Sequence, residues 1–257
     1  MQPMEQELSS HKKNTVLRLP INQKGRDFVV GDIHGHFELF EQLLDRIEFD
    51  DNCDRILSVG DAIDRGPQSE INLQYYAKPW FYSVLGNHEA MLIGSVKHVY
   101  GLYELWLHNG GEWSELLSES DLQEMARVYE DLPHVISVET GRGQVGIVHA
   151  DMPPNLSWTK FLDLLENQKL NERDVKVMLW SSETYKKLRM LLEYPAAIQE
   201  SYIADVHRVY VGHSIVKTPV CFGNMMFIDT GAYTTGRLTA VDITNEEVVM
   251  LDSAGAE

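Results

Sequence analysis

The period of apolar and polar positions changes several times along the chain, and each change marks an element. Arg26-Asp27-Phe28-Val29-Val30-Gly31 is a short apolar run closed by glycine, which predicts a buried strand. Directly after it, Phe37, Phe40, Leu43, Leu44 and Ile47 fall three and four apart, and that single apolar stripe predicts an amphipathic helix. The rhythm repeats: residues 55–60 and 80–86 predict strands that end at glycine before polar residues, and residues 90–96 predict a helix. Residues 102–132 carry helical periodicity broken at Asn109-Gly110-Gly111. Two β-rich runs at 135–140 and 144–149 are separated by Gly141-Arg142-Gly143, a hairpin signal. A helical stretch follows over about 161–192, and strands return at 208–211, 225–229, 238–243 and 248–251. Residues 1–24 are polar without sustained periodicity, so they predict an N-terminal tail with room for one short strand, and residues 25–257 predict one mixed α/β domain.

Composition narrows the function classes. The 257 residues carry 22 Lys+Arg against 39 Asp+Glu, a formal net charge of −17, with 44% hydrophobic residues. That apolar share supports a sizeable core, and the charge opposes sequence-independent attachment to nucleic acid or to anionic lipid. No apolar run approaches the ~18 residues of a membrane span, and the first residues lack a signal-peptide core, so a cytoplasmic protein is expected. The two cysteines, Cys53 and Cys221, make no CxxC pair, so two reduced core thiols are expected rather than a disulfide or thiolate site. Oligomeric state is not set by any of these features. An anionic ligand would need strong local positive charge, and metal is the obvious source.

Three polar clusters follow three of the predicted strands: Gly31-Asp32-Ile33-His34-Gly35, Gly60-Asp61-Ala62-Ile63-Asp64-Arg65-Gly66 and Gly86-Asn87-His88-Glu89. Two isolated histidines, His149 and His213, stand at later strand ends. One Asp-x-His pair is a weak signal, since a capping Asp beside a surface His looks the same. Three such clusters within 60 residues are hard to obtain from solvated loops. Oxygen ligands with imidazole and no thiolate point to Mn²⁺, Fe²⁺ or Zn²⁺.

The pattern Asp-x-His-Gly, Gly-Asp-x-x-Asp-Arg-Gly, Gly-Asn-His-Glu, with 25 residues between His34 and Gly60 and 19 between Gly66 and Gly86, resembles the metal-dependent phosphoprotein phosphatase family of the metallophosphoesterases. The short second spacing, His149-Ala150-Asp151-Met152-Pro153, Val211-Gly212-His213 and Ile228-Asp229-Thr230-Gly231-Ala232 resemble its bacteriophage-lambda and bacterial branch. The resemblance spans about residues 27–243 and implies a four-layer α/β/β/α sandwich with a mixed β core. It further implies two divalent cations, Mn²⁺ first with Fe or Zn as alternatives, held by Asp32, His34 and Asp61 and by Asp61, Asn87, His149 and His213. A water or hydroxide shared by the metals would then be the nucleophile. His88 would be the general acid, Asp64 its orienting carboxylate, and Arg65, with Asn87, would contact the phosphate. The implied substrates are phosphorylated proteins, phosphoserine and phosphothreonine first, with phosphotyrosine tolerated.

One position departs from the pattern. Related phosphatases carry a second clamp arginine shortly after a Trp, whereas Leu179-Trp180-Ser181-Ser182-Glu183 places Ser182 there. Arg189, or Arg173 in a shifted register, is the candidate substitute. Two alternatives stay open: a symmetric dinucleoside tetraphosphate hydrolase, whose resembling sequences have Ala in place of Asp64 and Asp in place of Glu89, and a non-catalytic module that retains the metal site. Trp106 and Trp113, flanking Asn109-Gly110-Gly111, are expected to pack in the core, with a substrate rim as the other reading.

Overall fold

The computed structural model describes residues 15–194 and 200–253. In chain order its strands are Val16–Leu19 (β1), Asp27–Val30 (β2), Arg55–Ser58 (β3), Phe81–Ser83 (β4), Val135–Thr140 (β5), Gly143–Val148 (β6), Arg208–Val211 (β7), Val220–Phe222 (β8), Met225–Phe227 (β9), Arg237–Asp242 (β10) and Glu247–Asp252 (β11). The α-helices are Phe37–Arg46 (α1), Leu73–Tyr76 (α2), Asn87–Val96 (α3), Leu102–Trp106 (α4), Glu119–Glu130 (α5), Trp158–Glu166 (α6), Glu172–Trp180 (α7), Glu183–Glu193 (α8) and Ala232–Thr235 (α9).

Two mixed sheets form, in the orders β11-β10-β2-β3-β4 and β1-β5-β6-β7-β9-β8. The strands β2, β3 and β4 are parallel, and β10 closes onto β2 antiparallel. Their apolar runs have no polar face because both faces are covered. Phe28, Val30, Ile56 and Ala240 pack under α1, while Val29, Leu57 and Val241 alternate to the other side. There they meet Ile136, Val145, Ile147 and Tyr210 of the second sheet. The far side of that sheet, including Val135, Val209 and Phe227, is covered by Trp158, Phe161 and Leu162 of α6 and Leu188 of α8. Helix, sheet, sheet and helix therefore stack as the four-layer α/β sandwich that the motifs imply.

Several boundaries differ from the sequence reading. The domain does not begin at Gly25, because β1 pairs in parallel with β5 from Val16↔Val135 and buries Val16 and Leu19. Four residues are too few for a periodicity to register. Residues 1–14, with His11, lie outside the described residues. The stretch read as one helix over 161–192 is three: Ser157 Oγ caps α6, Asn171 Oδ1 caps α7, and Ser181 turns extended (ψ 136°) between α7 and α8. The short strand β8 carries no alternation that could have announced it. Cys53 and Cys221 are free thiols, each half-buried. No helix among the described residues is long and apolar enough to cross a membrane.

Candidate active site

The three motif loops leave the C-terminal ends of β2, β3 and β4, neighbours in one sheet, and His149 and His213 follow β6 and β7, neighbours in the other. The carboxyl ends of parallel strands are where α/β sheets present their ligand-binding loops. Both sheets deliver polar side chains to one place, and Asp32, His34, Asp61, Asn87, His88 and His149 are all buried there.

Asp61 sits at the centre. Its Oδ2 lies 3.4 Å from His149 Nε2 and 3.8 Å from both His34 Nε2 and His88 Nε2. Two groups of potential ligand atoms share it: His34, Asp61 and His88 in one, and Asp61, His149 and His213 in the other, with the atoms of each group within 4.8 Å of one another. Asn87 Oδ1 lies 2.8 Å from His149 Nε2 and 2.9 Å from His213 Nδ1. Asp32 Oδ2 accepts from His213 N at 2.9 Å and is 4.0 Å from His34 Nε2.

Three observations fit this donor set to cations. Asp32 Oδ1 is buried and has no hydrogen-bond partner, and an orphaned anionic oxygen is costly unless a cation meets it. The rings of His34 and His149 each direct Nδ1 at a backbone carbonyl, Ile63 O at 2.9 Å and Val59 O at 2.8 Å, which leaves the Nε2 lone pairs aimed inward. That outer contact is how metal-ligating histidines are oriented. Finally, a neutral His149 in this tautomer sets its Nε2 lone pair against the oxygens of Asn87 and Asp61, a conflict that a shared cation resolves.

Electrostatics agree. Burial, with Asp229 and Asp61 nearby, raises Asp32 well above the usual carboxylate range. Burial would raise Asp61 too, but His149, His88 and His34 outweigh it and hold its carboxyl well below normal. Burial together with His149 lowers His213 to about 4, and burial, opposed by Asp61, the Val59 carbonyl and Glu89 acting together, leaves His149 raised. Without a cation, Asp32 is pushed towards its neutral form and His149 towards its charged one, and a divalent cation that takes their ligand atoms reverses both preferences.

Backbone strain collects at the same residues. Eleven non-glycine residues among those described have positive φ, and five of them are His34, Asp61, Asp64, Arg65 and His213. Such conformations cost of order 1–3 kcal/mol each and persist where the surroundings over-determine them. Here Ile33 N and His34 N both donate to Asp61 O, Asp64 N donates to Ser69 Oγ, and Arg65 N donates to Gly110 O. Buried Glu89, in the first turn of α3, accepts from Gly86 N, Asp61 N and Ala62 N at 3.1, 3.1 and 2.8 Å, which ties the second motif loop to the third.

Next to the cluster, His88 Nδ1 and Asp64 Oδ2 are 2.6 Å apart. Burial raises the Asp64 carboxyl although His88, Trp113 and Trp106 all favour its ionised form. Arg65 is exposed at the mouth, with Nη1 3.2 Å from His34 Nε2 and its guanidinium 4.2 Å from the centre of the Tyr233 ring.

The structure thus brings Asp32, His34, Asp61, Asp64, Arg65, Asn87, His88, His149 and His213 together. It does not bring Arg189, which lies on the exposed face of α8 with Nη2 3.9 Å from Glu193 Oε1. The expectation of a clamp arginine there is corrected by the helix phase, which buries Leu188 and turns its neighbour outward. Arg173 is likewise exposed, and Ser182 Oγ meets Ser214 Oγ at 3.3 Å. Tyr233, Asp229 and Glu89 were given no role by sequence reasoning. Burial raises Asp229 to about 6, and only its place in a strand-end motif could have signalled it.

Comparison with known proteins agrees with this geometry. The calcineurin-like phosphoesterase family profile matches residues 28–217, and the chain belongs to that family. It is 34% identical to a serine/threonine-protein phosphatase 2 of Salmonella typhimurium over 82% of this chain and 90% of that one. It is 31% identical to the serine/threonine-protein phosphatase 1 of the same organism, over 84% and 91%. A symmetrical bis(5'-nucleosyl)-tetraphosphatase of Pseudomonas fluorescens matches at 31% over 57% of this chain and 48% of its own length. Among solved structures, a putative diadenosine tetraphosphatase superposes with a TM-score of 0.65 at 22% identity, covering 94% of this chain and 99% of that one, which shows a shared fold.

Proposed function

We propose that this chain is a two-metal phosphomonoesterase that hydrolyses phosphoserine and phosphothreonine in phosphorylated proteins, with phosphotyrosine also accepted. In this reading Asp32, His34 and Asp61 hold one divalent cation and Asp61, Asn87, His149 and His213 the other, with Mn²⁺ the first choice. Two cations there would supply a nucleophilic water of lowered pKa and polarise the phosphoryl oxygens. Asp61 is shared between the two ligand sets, and Glu89 holds its backbone in place.

The chain's own residues do the rest. Arg65, at the mouth, offers its fork of donors to the phosphoryl oxygens and partly offsets the repulsion between a −17 protein and a phosphate dianion. The stacked Tyr233 ring limits the orientations open to that guanidinium. His88 gives its Nε2 proton to the leaving serine or threonine oxygen, and Asp64 fixes the ring through Nδ1. General-acid catalysis of this kind contributes about 10²–10⁴-fold.

The observation that carries the proposal is the 2.6 Å contact of His88 with Asp64 beside Asp61. A module that merely binds metal has no use for a buried acid dyad. The test is to strip and reload the protein with Mn²⁺ and offer phosphoserine peptides, p-nitrophenyl phosphate and diadenosine tetraphosphate. Phosphopeptide turnover is expected. Cleavage of the dinucleotide alone would replace this reading with the tetraphosphatase one, and metal uptake without turnover would overturn both.

A further inference from the structure

We infer that Trp106 and Trp113 are positioning residues for this reaction, their indole N–H groups holding the Asp64 carboxylate so that one oxygen is presented to His88. The inference rests on the phosphomonoesterase reading above. Asp64 is fully buried. Its Oδ1 accepts from Trp113 Nε1 at 2.7 Å and Trp106 Nε1 at 3.0 Å, and its Oδ2 lies 2.9 Å from Trp106 Nε1 and 2.6 Å from His88 Nδ1. The terminal torsion of an aspartate is soft. Two N–H groups on perpendicular rings, with centroids 6.2 Å apart, remove that freedom.

The chemistry of the donors matters as much as their number. An indole N–H donates and never accepts, so both indoles favour the ionised carboxylate, which can only accept from His88. His88 Nδ1–H is then bonded to Asp64, and His88 Nε2 is left facing the cluster, 3.8 Å from Asp61 Oδ2. A hydroxyl or a water in place of either indole could reverse its role and release the ring.

The backbone is shaped to make this convergence possible. On a regular helix, residues seven apart are separated by about 10 Å along the axis, too far for both side chains to meet one carboxylate. Here α4 passes into a π turn over Leu107–Gly111, with Gly110 left-handed at φ 100°, and then a 3-10 turn over Glu112–Leu116. The kink folds Trp113 back beside Trp106. It also delivers Gly110 O to Arg65 N at 3.1 Å and Asn109 O to Arg65 Nε at 3.4 Å. A Cβ at Gly110 would lie 2.8 Å from Arg65 N, so the close approach requires glycine. One kinked segment therefore holds both members of the strained Asp64-Arg65 pair. Buried indoles that served packing alone would bond whichever carbonyls lay nearest; both of these bond the same acid-orienting carboxylate.

The test separates positioning from packing by leaving group. Trp113→Phe keeps a ring in a half-buried position and removes the donor. The Mn²⁺-loaded variant should lose about 10-fold in the ratio of kcat on a phosphoserine peptide to kcat on p-nitrophenyl phosphate, because the alkoxide needs the proton from His88 and the nitrophenolate does not. In the metal-free protein, two-bond ¹H–¹⁵N spectra of the His88 ring should show Nδ1 protonated in a single state in the parent and a mixture or exchange broadening at Nδ1 in Trp113→Phe. Both indole N–H signals should move when Asp64 is replaced by Asn. The inference is overturned if either the ratio or the His88 spectrum stays as in the parent. Should the parent enzyme hydrolyse neither substrate, the phosphatase reading fails, and the spectra alone decide whether the indoles hold the dyad. Trp106→Phe is a second variant, in a fully buried position, and the conclusion does not require it to fold.

Discussion

Replacing Gly212 by alanine isolates the packing that confines Asp32. An added Cβ would overlap Asp32 Oδ1 and would stand 2.5 Å from Val59 Cγ2 and 3.0 Å from Asp32 Cγ. The backbone at Gly212 is not left-handed, so the cost is steric rather than torsional. Val59 is fully buried between the sheets and has nowhere to go; overpacking of this kind costs about 1–3 kcal/mol. If Asp32 turns instead, it gives up the 2.9 Å contact with His213 N and leaves that N–H without its acceptor, which costs about 1–3 kcal/mol. Alanine also stiffens the unfolded chain and returns about 0.4–1 kcal/mol. The two reliefs are alternatives, so the steric loss is roughly 1–3 kcal/mol before that gain, which cancels against a control that shares it.

Gly141→Ala is the matched control, since nothing lies within 4 Å of a Cβ there and the unfolded-state gain is the same. Urea denaturation of the metal-free proteins gives the stability difference between the two variants, and calorimetric titration with Mn²⁺ gives stoichiometry and affinity. Gly212→Ala should be less stable than Gly141→Ala by the stated amount and should bind one Mn²⁺ at least ~10-fold more weakly, equivalent to about 1.4 kcal/mol. If the two variants agree within ~0.5 kcal/mol, the range of ordinary surface substitutions, and both take two Mn²⁺ with parental affinity, then Gly212 does not confine Asp32. The assignment of Asp32 as a ligand would lose its steric support.

His88→Asn should retain two metals by elemental analysis while phosphopeptide turnover falls about 10²–10⁴-fold; loss of a metal would instead make His88 a ligand, as its grouping with His34 and Asp61 permits. Arg65→Ala should lower kcat/KM for phosphopeptides about 10–100-fold, the equivalent of one charged hydrogen bond, and a change under twofold would remove Arg65 from substrate binding. Arg189→Ala should leave kcat/KM within about twofold, the effect of an exposed ion pair worth under 1 kcal/mol, and a large loss would show that α8 moves towards the substrate. His213 has its folded pKa lowered to about 4 from 6.5, so the folded chain prefers the neutral ring. Its contribution is fully present above pH 6.5 and is lost as pH falls through about 4, up to about 3 kcal/mol. Metal-free His213→Gln should lack that part of the acid destabilisation in urea titrations between pH 6.5 and 4, and a slope equal to the parent's would contradict the shift.

The strands β2, β3 and β4 and their end loops were legible in sequence because each of these buried runs stops at a glycine followed by polar residues. Gly31, Gly60 and Gly86 mark the three turns that carry Asp32, Asp61 and Asn87. The residues that hold those ligands were not legible. Glu89 reads as an ordinary first-turn acid, and only the fold shows that it accepts three backbone N–H groups from two loops. Trp106 and Trp113 read as core, and packing is half of what they do: Trp106 lies in the cluster of α3 and α5 while its N–H faces Asp64. Periodicity registers which face of an element is buried and is blind to where a polar edge points. Arg189 fails for the complementary reason, since a charge chosen by sequence offset takes no account of helix phase.

That division follows from how the site is assembled. Asp32, Asp61 and Asn87 hang from one sheet, while His149 and His213 hang from the other, so the layer between the sheets sets the span of the centre. Val59 fills that layer, and its carbonyl, one residue before Gly60, orients the His149 ring. A strand end that places a ligand is therefore also part of the inter-sheet core, and the same short segment must satisfy packing, a left-handed turn and a ligand vector. Sequence pattern records the first demand as a valine and the second as a glycine. The third is a direction in space, and it exists only once two strands 90 residues apart have been laid side by side.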